Sequence, residues 1–307
     1  MSVAGLVNFF ENCIFDGNIL RLYLLAKVNR LKYFFLHKLR ECCCETSFFK
    51  RMYAVEYQRF LRINRVFVDV VNILSSHDVD FAMFKSLRPY PFTTVDIDVI
   101  IFKDFEEATE TLGKYGYRIL GFGPESVTFS CPGGIVNVDL YREVAVSRVV
   151  YLDKNVLKKH VTNVMTPYGE IVNLSPEADL IVFANHALVK EHMFTLADYF
   201  TIKGLLLKSD VAILSHLILE TKSVYVMRIV FGLVKDIIEC VYGGREDKCP
   251  RLPLKFPPWI VARALWEKRG CAKSRRSWAY QFEYMLSFKR LNRIIRDIVS
   301  HITRLTY

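Results

Sequence analysis

The chain has 307 residues, of which 52% are hydrophobic and 14% aromatic, a composition that supports a large packed core and argues against disorder. No uncharged apolar run reaches the roughly 18 residues that cross a bilayer, and the first residues lack the basic start of a secretory signal. The net charge of +10 lies entirely in residues 251–307, where thirteen Lys and Arg face three acids.

These global features set expectations for location and partners. We expect no transmembrane segment and a cytoplasmic protein. A basic end on a neutral body is typical of chains that bind a polyanion, most simply nucleic acid, although an acidic membrane surface would attract the same charge. The eight cysteines form no CxxC pair, so we expect reduced thiols packed as small apolar groups.

Two helices are predicted before residue 77. In residues 17–41 apolar side chains recur every three or four positions, which defines one helical face. That face consists of Leu20, Leu24, Val28, Leu31, Phe35 and Leu39. The second helix runs from Tyr53 to Ser76, and its inward face consists of Phe60, Ile63, Phe67, Val70, Val71 and Leu74.

Short apolar or alternating runs replace the helical pattern after residue 77, and turn residues separate them. The predicted strands are Asp80–Lys85, Asp96–Phe102, Tyr117–Gly121, Ser126–Ser130, Ile135–Tyr141 and Val149–Leu152. A helix at Asp104–Tyr115 lies between the second and third of them. This pattern predicts a small mixed sheet with few helices.

The helical period returns at Ser175, where Ser, Pro and Glu in succession are typical of a helix start. Further helices are predicted at about 195–207, 209–221, 224–241, 258–268 and 284–304. We therefore predict an α/β (α+β) chain in three parts. They are an N-terminal helical segment over 1–76, an α/β core with a small mixed sheet over 77–174, and a basic C-terminal helical domain over 175–307.

The stretch TTVDIDVIIF carries the main chemical pattern of the sequence. Residues two apart in a strand point to the same side, so Asp96 and Asp98 share a face opposite Ile97 and Val99. Two carboxylates this close repel each other unless a cation lies between them. Mg²⁺ suits such oxygen ligands, since it usually takes one or two carboxylates and completes its shell with water and phosphate oxygens.

A third carboxylate, Asp139, lies on the polar face of the later strand IVNVDLYRE. If the two strands are neighbours, Asp96, Asp98 and Asp139 converge on one patch. Three convergent acids near phosphates are what two-metal phosphoryl or nucleotidyl transfer requires. A carboxylate of the group can also take the proton of the attacking hydroxyl.

Other proteins also use two aspartates one residue apart. In phosphatases with an aspartyl nucleophile and in metal-dependent glycosyltransferases, such acids follow a hydrophobic strand at its C-terminal end. Here the order is reversed, because the acids precede the run Val99–Phe102. A pair of solvated acids at the start of an edge strand is the remaining alternative.

The residues just upstream complete a recognisable pattern. The segment DFAMFKS predicts a strand that ends at Lys85 and Ser86, and nine residues separate Ser86 from Asp96. A strand ending in Gly-Gly or Gly-Ser, then D-x-D/E, then an Asp on a later strand, resembles the DNA polymerase β-like nucleotidyltransferase superfamily. The likeness covers residues 77–145 and is closest to an uncharacterised prokaryotic branch related to toxin–antitoxin nucleotidyltransferases.

The resemblance implies a role for each matching residue. Ser86 would contact nucleotide phosphate, while Asp96, Asp98 and Asp139 would be catalytic and would bind Mg²⁺, with two ions expected and Mn²⁺ as a substitute. Lys85 stands where the family usually has Gly, which lets the backbone approach phosphate closely. The Lys85 ammonium, assisted by Arg88, would replace that contact, or else it marks altered nucleotide binding or lost activity.

Outside this motif, Lys190 lies four residues after His186 on the predicted helix from Pro176, so the two share a face. Lys190 is a further candidate for the triphosphate, with a solvated helical face as the alternative. Near the C-terminus, cations alternate with aromatic residues, a composition that suits RNA or single strands. They are Lys268, Arg269, Lys273, Arg275, Arg276, Arg290, Arg293 and Arg304, with Trp266, Trp278 and Tyr280.

The function implied is a nucleotidyltransferase that moves a nucleoside monophosphate from an NTP to an acceptor hydroxyl and releases pyrophosphate. RNA, above all tRNA, is the favoured acceptor, bound by the basic C-terminal region. The alternatives are a catalytically degenerate, RNA-binding protein on the same fold and a toxin-type enzyme that modifies tRNA or protein. The sequence does not determine the NTP preference or the oligomeric state.

Overall fold

The computed structural model describes residues 3–14, 18–42, 46–146, 149–243, 245 and 249–269. Within these residues, eleven α-helices accompany a mixed seven-stranded sheet, which confirms the α/β class with N-terminal helices. The helices are α1 (Val3–Asn12), α2 (Ile19–Val28), α3 (Lys32–Glu41), α4 (Ser47–Ser76), α5 (Phe105–Lys114), α6 (Lys154–Lys158), α7 (Pro176–Asn185), α8 (Leu196–Leu206), α9 (Val211–Glu220), α10 (Val224–Tyr242) and α11 (Pro258–Lys268). One π-helical turn, His186–Lys190, follows α7 directly.

The strands are β1 (Phe81–Met83), β2 (Asp96–Ile101), β3 (Arg118–Phe122), β4 (Ser126–Ser130), β5 (Asn137–Tyr141), β6 (Val144–Val146), β7 (Val149–Leu152), β8 (Val161–Thr166), β9 (Gly169–Leu174), β10 (Met193–Phe194) and β11 (Leu254–Lys255). The large sheet has the order β3-β4-β5-β2-β1-β9-β8, and β6–β7 and β10–β11 form two small ribbons. Strand β2 lies at the centre, antiparallel to β1 and parallel to β5.

One face of β2 is entirely apolar, as its alternating sequence predicts. Ile97, Val99 and Ile101 are buried in a cluster that includes residues of α4 and α5. The predicted inward face of α4 is confirmed where Ile63, Phe67, Val70, Val71 and Leu74 are buried, while Phe60 is half-buried. The helix begins six residues earlier than expected, at Ser47. This cluster, here called the apolar sheet face, holds β2 rigidly from one side.

The opposite face of the sheet packs against helices from both ends of the chain. Ile100 and Tyr141 are buried there with residues of α7, α8 and α10. Helix α1 joins the same core, since the Phe10 ring lies 5.2 Å from the Phe200 ring of α8. This larger cluster, the helical core, covers the side of the sheet on which the aspartates of β2 and β5 lie.

The single helix predicted over 17–41 is wrong in its first half. Arg30 has a left-handed φ of 61°, which ends α2 and restarts the chain as α3 in a different helical phase. Leu20, Leu24 and Val28 are therefore exposed at 48%, 51% and 53%. The side chains that α2 buries instead are Leu22, Tyr23 and Ala26, while the predicted Leu31, Phe35 and Leu39 are buried.

The C-terminal helices up to Lys268 lie where the sequence predicts them, and the predicted helix over 284–304 lies outside the described residues. The sequence prediction missed the hairpin of β8 and β9, which adds to the sheet through β9 and β1. Thr162, Asn163 and Asn173 interrupt its apolar pattern, so the hairpin lacks a strong strand signal. The proposed division at residues 76 and 174 stays a prediction.

The expectation of reduced thiols is wrong for four cysteines. Disulfides join Cys13 to Cys42 and Cys240 to Cys249, whose Cα atoms lie 5.8 Å and 5.0 Å apart. Cys131 is free and buried. Among the described helices, none combines the length and the apolar character needed to cross a membrane.

Candidate metal centre

Parallel pairing of β2 with β5 brings the three predicted aspartates together. Asp98 is the register partner of Asp139, and Asp96 is the partner of Asn137. One carboxylate oxygen from each of Asp96, Asp98 and Asp139 lies within 4.8 Å of the others. This geometry agrees with the sequence-based prediction that the three acids share one patch. It does not fit the alternative of solvated acids at the start of an edge strand, because β2 is the central strand.

The donor set suits a hard divalent cation. Asp98 Oδ1 and Asp139 Oδ1 are buried and have no hydrogen-bond partner, although buried polar atoms are normally paired. Carboxylate oxygens are the ligands that Mg²⁺ and Mn²⁺ prefer. Within the described part of the chain, this is the sole group of three acidic, His or Cys side chains close enough to share an ion.

Burial and mutual repulsion separate the proton affinities of the three acids. Burial, and next the charge of Asp98, raise the pKa of Asp96 to about 6. Burial also raises the pKa of Asp139. Burial opposes the ionisation of Asp98 too, but the nearby ammonium groups of Lys85 and Lys190 outweigh it and lower the pKa of Asp98.

Lys85 occupies the turn at the end of β1 in a conformation that favours glycine. Its φ is +59°, in the left-handed region that glycine adopts without strain. The Lys85 backbone N–H donates to Asp179 Oδ1 at 2.8 Å, an interaction that fixes this backbone. Its ammonium lies 3.1 Å from Asp98 Oδ2, in a pair that is almost fully buried.

Ser86 ties the end of β1 to the start of β2. Its hydroxyl donates to the Phe84 carbonyl at 3.0 Å and accepts from the Asp98 N–H at 3.3 Å. Because β1 and β2 run antiparallel, the end of β1 and the acids of β2 meet at the same edge of the sheet. Ser86 is thus beside the acids, and its contact with nucleotide phosphate stays a prediction.

The π-helical turn His186–Lys190 aims further charged groups at the site. Lys190 Nζ donates to the Tyr141 hydroxyl at 2.9 Å, and its charge lowers the pKa of Asp98. A π turn places residues differently from an α-helix and is frequent at functional sites. The alternative of a solvated helical face does not match His186 and Lys190, since both are half-buried and Lys190 is bonded to Tyr141.

His186 connects Lys85 to a second ion pair. His186 Nδ1 lies 3.4 Å from Lys85 Nζ, and His186 Nε2 lies 3.4 Å from Glu191 Oε1. Glu191 also accepts from Arg30 at 2.8 Å. Burial, and next the Lys85 charge, lower the pKa of His186 to about 4, so the ring is neutral at pH 7. A neutral ring accepts from Lys85 and donates to Glu191, which holds the ammonium in place.

Arg88, the other predicted phosphate ligand, lies elsewhere. Its guanidinium donates to the Tyr90 hydroxyl at 3.0 Å and to Thr201 Oγ1 at 3.2 Å. It also lies 5.1 Å from the centres of the Phe92 and Phe183 rings. In this arrangement Arg88 ties the loop after β1 to α8 and does not reach toward the acids.

Sequence analysis missed Asp179, which supports the turn of Lys85. Burial raises the pKa of Asp179 to about 7, although the Lys85 N–H and the Asn173 amide favour its charged form. An acid inside the apolar run ADLIVFAN was the available signal. Two further acids of the C-terminal helices have structural roles: Asp198 forms a capping box with Thr195, and Glu177 accepts from the Asp210 N–H at 2.7 Å.

The predicted basic region is described only up to Arg269. Lys268 does not belong to a binding surface, because it is fully buried and donates to the Thr221 carbonyl at 2.8 Å and to Ser223 Oγ at 2.6 Å. Arg269 stacks on the exposed Trp266 ring at 3.5 Å. The remaining predicted cations and aromatics, from Lys273 onward, lie outside the described residues.

Compared with protein-family models and with curated proteins, the chain matches none. The arguments for its function therefore depend on the site itself.

Proposed function

We propose that the chain is an Mg²⁺-dependent nucleotidyltransferase that transfers a nucleoside monophosphate from an NTP to an acceptor hydroxyl. The observation that supports this most is the cluster of Asp96, Asp98 and Asp139 on neighbouring parallel strands, with two buried oxygens lacking partners. Such atoms are costly to bury without a partner, so their presence on rigid central strands favours a ligand.

The three carboxylates would hold the ion, and Mg²⁺ or Mn²⁺ bound there supplies Lewis-acid activation of the acceptor hydroxyl and neutralises phosphate charge. With its pKa of about 6, Asp96 is ionised at pH 7 and is the proton acceptor for that hydroxyl. The acceptor oxygen forms a bond to the α-phosphorus, the bond to the bridging oxygen breaks, and pyrophosphate leaves with the electron pair.

Lys85 binds the triphosphate in this proposal. Its ammonium and that of Lys190 lie on the acidic side of the site and carry the positive charge that a leaving pyrophosphate needs. Phosphate oxygens would replace Asp98 as the partner of Lys85, since both are anionic acceptors of charge-assisted hydrogen bonds. Ser86, at the same turn, orients the strand end on which Lys85 sits.

RNA is the proposed acceptor, and tRNA is the leading case. The supporting observation is the charge of residues 251–307, which carry thirteen Lys and Arg against three acids. A toxin-type enzyme that modifies tRNA or a protein would use the same chemistry on a different acceptor. The cytoplasmic location goes with this proposal, but the two disulfides oppose it, because disulfides are rare in reducing compartments.

The buried pair of Lys85 and Asp98 favours a second candidate function. An ammonium 3.1 Å from Asp98 offsets the charge of that acid without a metal ion, as expected of a fold that has lost catalysis. The protein would then bind RNA on a degenerate nucleotidyltransferase scaffold. The two candidates differ in Mg²⁺-dependent NTP binding, which only the enzyme requires.

The deciding experiment incubates the protein with each labelled NTP, Mg²⁺ and total RNA and measures acid-precipitable label. Transfer is expected in the wild type and lost in Asp96→Asn and Asp98→Asn. Asp78→Asn is the matched control, because Asp78 is exposed in the turn before β1 and should keep wild-type activity.

Undiminished transfer in both site variants would overturn the catalytic assignment. No transfer to RNA, together with no Mg²⁺-dependent NTP binding by calorimetry, would favour the degenerate scaffold. Label on protein in place of RNA would point to the toxin-type acceptor.

A further inference from the structure

Helix α4 presents a row of positively charged side chains to solvent. Arg51, Gln58, Arg62 and Arg65 follow one another at steps of seven, four and three residues, so they share the face opposite the buried residues of the helix. All four are exposed, and so is Lys50 beside Arg51. These five residues are here called the α4 stripe. From Arg51 to Arg65 the stripe is about 21 Å long, at 1.5 Å per residue.

The cations of the α4 stripe have no acidic partners. Among the described residues, none of their side chains forms an ion pair or a hydrogen bond, whereas the exposed Lys159 is paired with a glutamate. The acid nearest the middle of the helix, Glu56, is buried and bound by Lys32. The first exposed acid of α4 is Asp69, one turn beyond Arg65. An uncompensated row of cations on a rigid helix attracts a polyanion.

The sign of this charge excludes two occupants from within the protein itself. Residues 270–307 carry eight Lys and Arg against two acids, so this segment and the α4 stripe repel each other. The same stripe on a second copy of the chain would also be repelled. A phosphate backbone has the complementary charge, and each phosphate that a cation neutralises releases a counterion, which favours binding.

Tyrosine rings lie beside the α4 stripe. Tyr57 is 36% exposed, and its ring stacks on the Tyr53 ring with the two centres 5.6 Å apart. Tyr168, in the turn between β8 and β9, is 40% exposed and lies 6.1 Å from the Phe60 ring of the same helix. Proteins that bind single strands combine cations for the backbone with aromatic rings on which unpaired bases stack.

The loop before β2 connects α4 to the acids. Arg59, which is half-buried one turn before Arg62, donates to the Thr94 carbonyl at 2.9 Å. The Thr94 hydroxyl in turn donates to Asp96 Oδ1 at 3.1 Å. A strand bound along the stripe therefore passes close to the segment that leads into Asp96. This connection favours RNA over an acidic membrane, which the stripe would attract without any route to the acids.

We propose that the α4 stripe binds single-stranded RNA along its phosphate backbone, with Tyr57 as the ring on which a base stacks. The proposal rests on the proposed function, because RNA is the acceptor there, and it adds a surface far from the basic C-terminal region in sequence.

The test measures RNA binding without NTP or Mg²⁺, so that the chemistry at the acids is not involved. A fluorescein-labelled single-stranded RNA of about 15 nucleotides is titrated with the full chain by fluorescence anisotropy at several salt concentrations. The triple variant Arg51→Gln, Arg62→Gln and Arg65→Gln is expected to bind at least about tenfold more weakly at about 0.1 M salt. The slope of log affinity against log salt should become shallower by about 2, since each phosphate contact of a single strand contributes about 0.7.

A matched triple variant removes the same charge from other surfaces. Lys114→Gln, Lys208→Gln and Lys222→Gln are at exposed positions outside α4, and together they should leave the affinity within about twofold of the wild type. Tyr57→Leu is expected to weaken binding about fivefold with no change in the salt slope, because it removes stacking and no charge. Circular dichroism on each variant verifies the helical content.

An equal loss of affinity in both triple variants, or no RNA binding by the wild type, would overturn this proposal. Binding to phosphatidylserine vesicles that is lost in the α4 variant while RNA affinity is unchanged would replace RNA with an acidic membrane. Weakened RNA binding in a protein without nucleotidyl transfer would support the surface and refute the enzyme. Transfer by the α4 variant with an unchanged KM for RNA would support the enzyme and refute the surface.

Discussion

The two faces of strand β2 have opposite chemistry although their residues alternate along six positions of one chain segment. Ile97, Val99 and Ile101 lie in the apolar sheet face, among buried apolar side chains that include residues of the strands, α4 and α5. Asp96 and Asp98, between them, face Lys85 and the π-helical turn. Asp98 is nearly as buried as the apolar residues, but the charged acids repel one another, whereas burial of the apolar residues stabilises the fold.

This difference shows how the fold tolerates a charged site whose buried acids lower its stability. Buried acids raise one another's free energy, and like charges on paired strands are destabilising. The apolar residues on the reverse side restore that loss because each buried methylene contributes about 0.8 kcal/mol. Strands can separate these two tasks because successive side chains point in opposite directions.

Neighbouring substitutions on β5 should separate activity from stability, with the largest effects expected here. Asp139→Asn should lower transfer by about a thousandfold, or about 4 kcal/mol in the barrier, with no loss of stability. Leu140→Ala should lower the free energy of unfolding by about 3 kcal/mol through a cavity in the apolar sheet face, while folded molecules keep their activity.

Filter-bound label and urea unfolding measure the two quantities on the same preparations. If Leu140→Ala abolished transfer at temperatures where it is folded, or Asp139→Asn left transfer intact, the two faces would not be functionally separate.

The second test removes the cation of the charged face. Lys85→Ala leaves Asp98 buried without its partner, so we expect about 3 kcal/mol less stability by urea unfolding. Lys85→Gly should be about 1 kcal/mol more stable than Lys85→Ala, because the left-handed backbone at this residue no longer strains a Cβ.

The two variants also decide what the ammonium does in the site. Loss of NTP affinity in both would support a role for Lys85 in triphosphate binding. Greater transfer by Lys85→Gly than by the wild type would mean that Lys85 blocks a metal site. Equal stability of all three proteins would contradict the buried pair.

The raised pKa of Asp179 should make the stability of the folded chain depend on pH. Burial raises its pKa from 3.8 to about 7 in the folded chain, so the unfolded chain loses the proton first as pH rises. The folded state therefore loses stability between about pH 4 and pH 7, on the order of 4 kcal/mol, and regains it on acidification.

Asp179→Asn carries no such loss, so its melting temperature should exceed that of the wild type more at pH 8 than at pH 5. Differential scanning fluorimetry at the two pH values measures this, with Asp78→Asn as the exposed control. A constant difference between variant and wild type at both pH values would mean that Asp179 is ionised throughout.

The smallest effects are expected at adjacent isoleucines of β2. Ile100→Val and Ile101→Val should each lower stability by about 1 kcal/mol, because each deletes one buried methylene. Only Ile100 faces the helical core beside Tyr141, so only Ile100→Val should alter the KM for NTP, by about twofold. A KM change of equal size in both variants would show that the faces are coupled.

The aspartates could be predicted from sequence because a two-residue period determines the face of a strand side chain, whatever surrounds it. For Asp96, Asp98 and Asp139, the only further condition was that two strands be neighbours, and β2 and β5 are. The apolar run after Asp98 likewise identified a central strand. Local periodicity was therefore enough to predict the position of residues whose role depends only on their own strand.

Contacts between distant residues and breaks in helical phase could not be predicted from such a pattern. The guanidinium of Arg88 donates to Tyr90 and Thr201, and the sequence offers no way to rank these partners against a phosphate. Lys190 was assigned with an α-helical spacing that the π turn does not follow. The exposed Leu24 was predicted as buried because nothing in the residue type of Arg30 announces a left-handed backbone.

The π turn at His186–Lys190 has a consequence for how the site could be gained or lost. A π turn holds one more residue than an α turn, so α7 and its continuation contain a single inserted position. Deleting Ala187 would restore an α-helical turn, and the chain after it would keep its helical phase because an α turn closes the same angle with one residue fewer. Only the side chains within the turn, from His186 to Lys190, would change direction, so a one-codon deletion would alter the charged face while every aspartate stayed in place.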